Sequence, residues 1–248
     1  MRQLTNLTQA LLGPLLGTNT PGMNPMGPRI TYYDDATGER IELSSVTLAN
    51  WAAKTANLVR DELGVGPDSR VAVLLPAHWQ TAAVLLGVWW AGAEVVPADA
   101  ASAGADVALC TRGLLSEADE AVNGGEVAVL SLDPFGKPAP DLPIGVTDYA
   151  TAVRVHGDQF TPEPRPGAAL SGRSTDDVLA DAAQSAQTQN LTASDRVMSD
   201  AMWSTERDII DNLLAVFAVG ASLVQVSNPE HSLLARRRES EKVTRDLR

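Results

Sequence analysis

Three histidines and one cysteine are the side chains best suited to acid–base, nucleophilic or metal chemistry, and their spacing argues against all three uses. His78, His156 and His231 lie far apart, without a neighbouring cysteine or paired carboxylates at ligand spacing. Neither a zinc site nor a general base is indicated, and each reads as a surface or helix-start histidine. Cys110 ends the apolar run 107–110 and reads as a small core residue. A GxSxG elbow, a GxGxxG turn and a GxxxxGK[ST] loop are all absent, and Gly136-Lys137 lacks the upstream glycine of the last. Asp176-Asp177 at the head of a helical stretch is explained by capping and the helix dipole. Trp51, Trp79, Trp89 and Trp90 fall in or beside apolar helical runs and are assigned to core packing. No catalytic residue and no metal ligand is assigned on these grounds.

The clearest positioning element is the stretch 68–99. An apolar run, Val71 to Leu75, stops at Pro76; a helix is predicted from His78 to Ala91; Gly92 ends it; and a second strand runs from Glu94 to Val96. The five-residue run has no polar alternation, which predicts a strand covered on both faces in a parallel sheet. Upstream, Arg29 to Asp34 and Glu39 to Leu43 predict a hairpin around Asp35-Ala36-Thr37-Gly38. Ser44 or Ser45 then caps a helix whose apolar stripe is Leu48, Trp51, Ala52, Thr55, Leu58, Val59 and Leu63, closed by Gly64. Downstream, strands are expected at Val107 to Cys110 and Glu126 to Leu132, with a helix near Leu114 to Val122. Proline-rich loops follow at 133–143 and 162–166.

The second half predicts a helix from Thr175 to Gln187, a strand Arg196 to Met198, a helix Thr205 to Val219 and a strand Ser222 to Val226. It weakly repeats the first: Asp68-Ser69-Arg70-Val71 matches Ser194-Asp195-Arg196-Val197, and residues 90–96 match 218–224 around Gly92 and Gly220. The fold class is therefore α/β, with two stacked βαβ-type lobes and mainly parallel sheets. The division expected is a helical segment over 1–28 carrying Leu4, Leu7, Leu11, Leu12 and Leu15, a first lobe over 29–166, a partial second lobe over 167–230 and a charged helix or tail over 231–248. That tail is read as a solvated or frayed terminal helix, with docking to a protein partner through Arg236 to Arg248 as the alternative.

The chain has 248 residues, a net charge of −12, three lysines and one cysteine. The negative balance excludes a general nucleic-acid surface. The lone cysteine fits a reducing, cytoplasmic setting, and no run of about 20 apolar residues predicts a membrane span.

The order of strand, TLANWA helix, GVGPDSRVAVLLP, helix and WWAGAEVVPAD resembles the N-terminal region of the adenylate-forming superfamily, which includes acyl-CoA synthetases. LTASDRV followed by a helix and AVGASLVQV extends the likeness to about 30–229, so the chain looks like a truncated relative matching the N-terminal part only. The resemblance implies an αβαβα domain and a glycine- and hydroxyl-rich loop that holds ATP phosphates through backbone N–H groups. It places that nucleotide-binding loop, in degenerate form, at Ser171, Gly172, Arg173, Ser174 and Thr175, and an acyl-pocket aromatic at Trp203. The second glycine and the PKG segment of the family loop are missing. The adenine-binding segment and the lysine-bearing domain have no counterpart in these residues. The expected function is thus an AMP-binding, acyl-CoA synthetase-like domain without adenylation activity, a pseudoenzyme acting through a nucleotide or acyl ligand (ATP, AMP or CoA) or a protein partner. The alternatives are half of a split ligase and a purely structural interaction module.

Overall fold

The structure, a computed structural model, describes residues 6–16, 27–162 and 165–247. Helix α1 (Leu7–Leu16) buries the expected stripe of Leu7, Leu11, Leu12 and Leu15; Leu4 lies outside the described residues. Strands β1 (Pro28–Asp34) and β2 (Glu39–Ser44) form the expected antiparallel hairpin, turned by Gly38 at φ 76°. Ser44 then caps α2 (Ser45–Asp61), its hydroxyl accepting from the Thr47 N–H at 3.1 Å. Ser44→Ala is expected to cost about 1 kcal/mol in denaturant unfolding, the usual worth of an N-cap.

The organising unit is present as expected: β3 (Arg70–Leu74), α3 (Trp79–Trp90) and β4 (Glu94–Pro97), with Gly92 left-handed at φ 85°. After it come β5 (Val107–Thr111), α4 (Leu115–Val122) and β6 (Glu126–Leu130). Periodicity gave no hint of β7 (Thr147–Asp148) or of α5 (Tyr149–Ala152), which are too short to show one. Strands in the order β4-β3-β5-β6-β7 form one wholly parallel sheet.

The second half supplies α6 (Thr175–Thr188), β8 (Arg196–Ser199), α7 (Glu206–Ile209), a π turn (Ile210–Leu214), α8 (Ala215–Ala218), β9 (Ser222–Ser227), α9 (His231–Ser240) and β10 (Arg245–Leu247). The second sheet has the order β10-β8-β9-β1-β2, parallel except for the hairpin. The hairpin expected in the first lobe therefore pairs with strands of the second: Ile30 lies opposite Leu223 and Tyr32 opposite Gln225.

Alternation along the strands builds the layers. Val71, Val73 and Leu109 on one sheet and Ile30, Val197 and Leu223 on the other share the main core with the helices between them. The reverse face of the first sheet packs Ala72, Ala108, Cys110 and Val129 on Ala118 and Val122 of α4, and that of the second packs Met198, Val224 and Val226 under Leu234 of α9. The result is five layers, αβαβα. The internal repeat is structural as well as sequential. Arg70 faces Glu94 and Arg196 faces Ser222 in the same parallel register, and each lobe adds a third strand at the matching place, Asp106 N donating to Arg70 O and Thr244 N to Arg196 O.

One expectation is corrected here. Over residues 231–247 the segment is helical at first, as α9, but not frayed: it then returns to the sheet as β10, beside β8. Three of its cations are occupied inside the chain, Arg237 with Asp35 at 2.6 Å, Arg238 with Asp246 at 2.9 Å and Arg245 with Asp195 at 3.6 Å. The charge density that suggested a loose tail is what fastens it.

Candidate functional site

Residues 169–173 run along the free edge of β4. Val95 N donates to Ala169 O at 2.9 Å, Ser171 N donates to Val95 O at 3.2 Å, and the Trp89 indole N–H donates to Ala169 O at 2.7 Å. Ser171 at φ 48° and Gly172 at φ 76° turn the chain back on itself, and Arg173 N closes the turn on Leu170 O at 2.9 Å. Two consecutive left-handed residues make a tight reversal rather than an open nest of amides. The Gly172 N–H, a donor of the kind that cradles a phosphate, instead meets the Glu94 carboxylate at 2.8 Å.

The loop's cation is equally committed. Arg173 Nη1 lies 2.8 Å from both Asp181 Oδ2 and Glu206 Oε1, and those hydrogen bonds raise its already high pKa further. Ser174 caps α6 and is bonded to Asp177 Oδ2 at 2.6 Å; Thr175 is buried. The five loop candidates are thus contiguous, and their polar groups are largely spent on one another and on acidic neighbours. Trp203 is buried in the main core with its indole N–H unpartnered. Asp99 N donates to the adjacent Ser204 O at 3.2 Å, joining the two halves there.

A larger cavity among the described residues lies elsewhere. A cleft of about 710 Å³ opens where strands of both sheets end, floored by Tyr32, His78 and Gln225 and walled by turns after β3, β6, β8 and β9. None of Ser171 to Thr175, and not Trp203, lines it. Ligand clefts in parallel α/β sheets form at the carboxyl ends of the strands, and only that positional rule, not residue type, could have drawn attention to it from sequence. His78 is the helix-start residue expected, its Nδ1 accepting from Gln80 N at 3.1 Å. It is not a surface residue, however: it is buried, and its ring lies edge-on to Tyr32 at 4.3 Å. Burial pushes the Tyr32 phenol up to about 12. Among the described residues no group of three or more His, Cys, Asp or Glu is placed to hold a metal ion, and no helix is long and apolar enough to cross a membrane.

Comparison with known proteins agrees with this architecture. Residues 26–114 match the AMP-binding enzyme family. The acyl-CoA synthetase of Brucella canis superposes with a TM-score of 0.77 at 19% identity, over 98% of this chain and 47% of that one. The anthranilate CoA ligase AuaEII, solved with anthranoyl-AMP, superposes at 0.66 and 16% identity, over 97% and 48%. The chain spans about half the length of these structures. Its fold is that of the N-terminal domain of acyl-CoA synthetases. A protein of Mycobacterium tuberculosis described as a TIGR03089 family protein is 63% identical over 247 residues, covering 98% of each chain. The chain belongs to that TIGR03089 family.

Proposed function

We propose that this AMP-binding-like domain binds a small ligand and does not itself form acyl-adenylates. The observation that carries the reading is the closure of the loop at 171–175. Glu94 occupies the Gly172 amide, and Arg173 is paired with two carboxylates. Acyl-adenylate formation needs in-line positioning of the α-phosphate and stabilisation of the charge that develops on it. A triphosphate entering this loop would have to displace Glu94 and would meet Asp176 and Asp177 at the helix start. Cys110 is a buried free thiol whose burial pushes its pKa up to about 12, and such a thiol is inert as a nucleophile.

Hydroxamate trapping with ATP over a broad panel of carboxylic acids is expected to give no product above the protein-free rate. Robust turnover by the chain alone would overturn the reading. A second reading, half of a ligase completed by a partner chain, draws on the span of about half the solved synthetase. Co-purification of a complementary adenylation fragment that restores hydroxamate formation would favour it over the first.

A further inference from the structure

Unpaired cations gather at one place on a chain whose net charge is −12. Between α2, the start of α3, α5 and the loop after β6 lies a pocket of about 210 Å³, and no Asp or Glu lines it among the described residues. Its walls are aromatic: Trp51, Trp79, Phe135 and Tyr149, the two indoles meeting edge to face at 5.6 Å. Arg154 on its rim is held by backbone carbonyls, Nη2 donating to Phe135 O at 3.3 Å and to Gly136 O. Lys54 stands about one turn past Trp51 on α2, its Nζ donating to His156 O at 2.6 Å. Lys137 follows Gly136 of the rim and is exposed. Two of the chain's three lysines and an arginine thus flank one pocket, and among the described residues none of the three is paired with a carboxylate.

Asp133, Asp148 and Glu62 of the adjoining segments are turned to other donors. Asp133 accepts from the Phe135 and Lys137 N–H groups at 2.8 and 3.2 Å, Asp148 from the Ala139 and Thr151 N–H groups at 2.7 and 2.8 Å, and Glu62 lies 2.7 Å from the His156 ring. The apolar side chains of the rim are bare: Phe135 is 83% and Val155 80% exposed. Beside an aromatic pocket and three cations they form a patch of the composition that protein interfaces favour. The cavity is smaller than the roughly 300–1,000 Å³ of small-molecule sites. It leaves room for one side chain, and the rim and cations extend past it, so its occupant belongs to a longer chain. A nucleic acid, charged along its whole length, would meet the negative surface beyond this patch, whereas a short acidic segment ends within it.

We propose that this face docks an acidic segment of a partner protein, one bulky apolar side chain entering the pocket and its flanking carboxylates meeting Lys54, Lys137 and Arg154. The aromatic anchor supplies most of the affinity and the charges select the partner and speed its approach. None of Ser171 to Thr175 lines the pocket, so the surface goes beyond the ligand reading and does not depend on it.

Calorimetric titration of the full chain with capped pentapeptides separates the two requirements. The probes are Glu-Glu-Phe-Glu-Glu, the same peptide with Ala at its centre, and the same peptide with Lys for every Glu, with pentathymidylate as a nucleic acid of similar charge. The Glu–Phe peptide is expected to bind, the Ala-centred one about tenfold weaker and the Lys-flanked one not measurably, with the first weakened by added salt. Lys137→Gln is expected to weaken the Glu–Phe peptide about threefold to fivefold and Phe135→Ser about fivefold. Both should leave the Tm unchanged, since both side chains are exposed. Arg236→Gln, exposed on α9, should change binding by less than about twofold. Equal binding of the Phe- and Ala-centred peptides, equal or tighter binding of the Lys-flanked peptide or of pentathymidylate, no heat with the Glu–Phe peptide, or a loss with Arg236→Gln as large as with Lys137→Gln would each overturn the proposal. Absence of peptide binding would leave the non-adenylating reading intact; hydroxamate formation would overturn that reading and leave this surface intact.

Discussion

Gly87→Val is expected to lower the Tm by about 6–12 °C, because it drives a side chain into the close contact between α2 and α3. A Cβ at position 87 would stand 2.6 Å from Thr55 Cβ, 2.7 Å from Thr55 Cγ2 and 2.9 Å from the Ala52 carbonyl oxygen. Thr55 cannot yield cheaply. Its hydroxyl is bonded to Trp51 O at 2.9 Å and to the Tyr149 phenol at 2.7 Å, and Tyr149 is itself among the largest fully buried side chains. The helix pair α2–α3 must therefore separate, which removes apolar contacts between both sheets. Overpacking costs about 1–3 kcal/mol, and a clash with helix backbone belongs at the upper end; each kcal/mol is worth about 2–4 °C in a chain of this size. Gly113→Ala, where a Cβ would meet nothing within 4 Å, is the control and should stay within about 1 °C of the parent. An unchanged melting curve for Gly87→Val would mean that the two helices do not approach so closely.

Glu241→Ala is expected to cost about 2–3 kcal/mol at neutral pH, read from the midpoint of a urea titration. Glu241 accepts from the Tyr33 phenol at 2.5 Å and from Arg40 at 2.9 Å, and is bonded to Arg196 as well. One carboxylate thus fastens the segment after α9 to β1, β2 and β8. Burial alone would raise its pKa, but the hydrogen bonds from Tyr33, Arg196 and Arg40 outweigh burial and bring it from 4.5 down to about 2. A depressed carboxyl contributes stability that is complete above its unfolded value and is lost as pH falls toward the folded one. The difference between parent and variant should be full above about pH 4.5 and should fade between there and about pH 2. An undiminished difference at about pH 2 would show that the carboxylate is not the operative group.

Local signals made much of this fold legible. The run Val71 to Leu75 with Pro76 and Gly92 specified a βαβ unit almost to the residue, and Ser44 and Gly38 marked their cap and turn. The repeat around Arg70 and Arg196 was legible because both lobes solve one problem, a parallel pair entered after a left-handed glycine. What sequence left out is non-local. Nothing in Arg29 to Asp34 says that its neighbour is β9, and nothing in the three residues of β10 has a period. The basic character of Arg237 and Arg238 suggested solvent because Asp35 and Asp246 are partners only in three dimensions. The loop at 171–175 was legible as a departure from a phosphate-binding pattern, yet the part played by Glu94, far upstream, was not. His78 and Gln225 carry no motif. They matter because strands from both sheets end beside them.

The pairing of β1 with β9 sets an order of events during synthesis. Ile30 waits for Leu223, which at roughly 5–20 residues per second leaves the hairpin without its inner neighbour for about 10–40 s on the ribosome. During that interval β1 offers an unsatisfied backbone edge carrying Ile30 and Tyr32, while the wholly parallel sheet, whose strands all lie between residues 70 and 148, can already assemble. The nascent chain thus has one lobe ready early and one ribbon in need of shielding, and a holdase would find its grip on the first strand rather than the last.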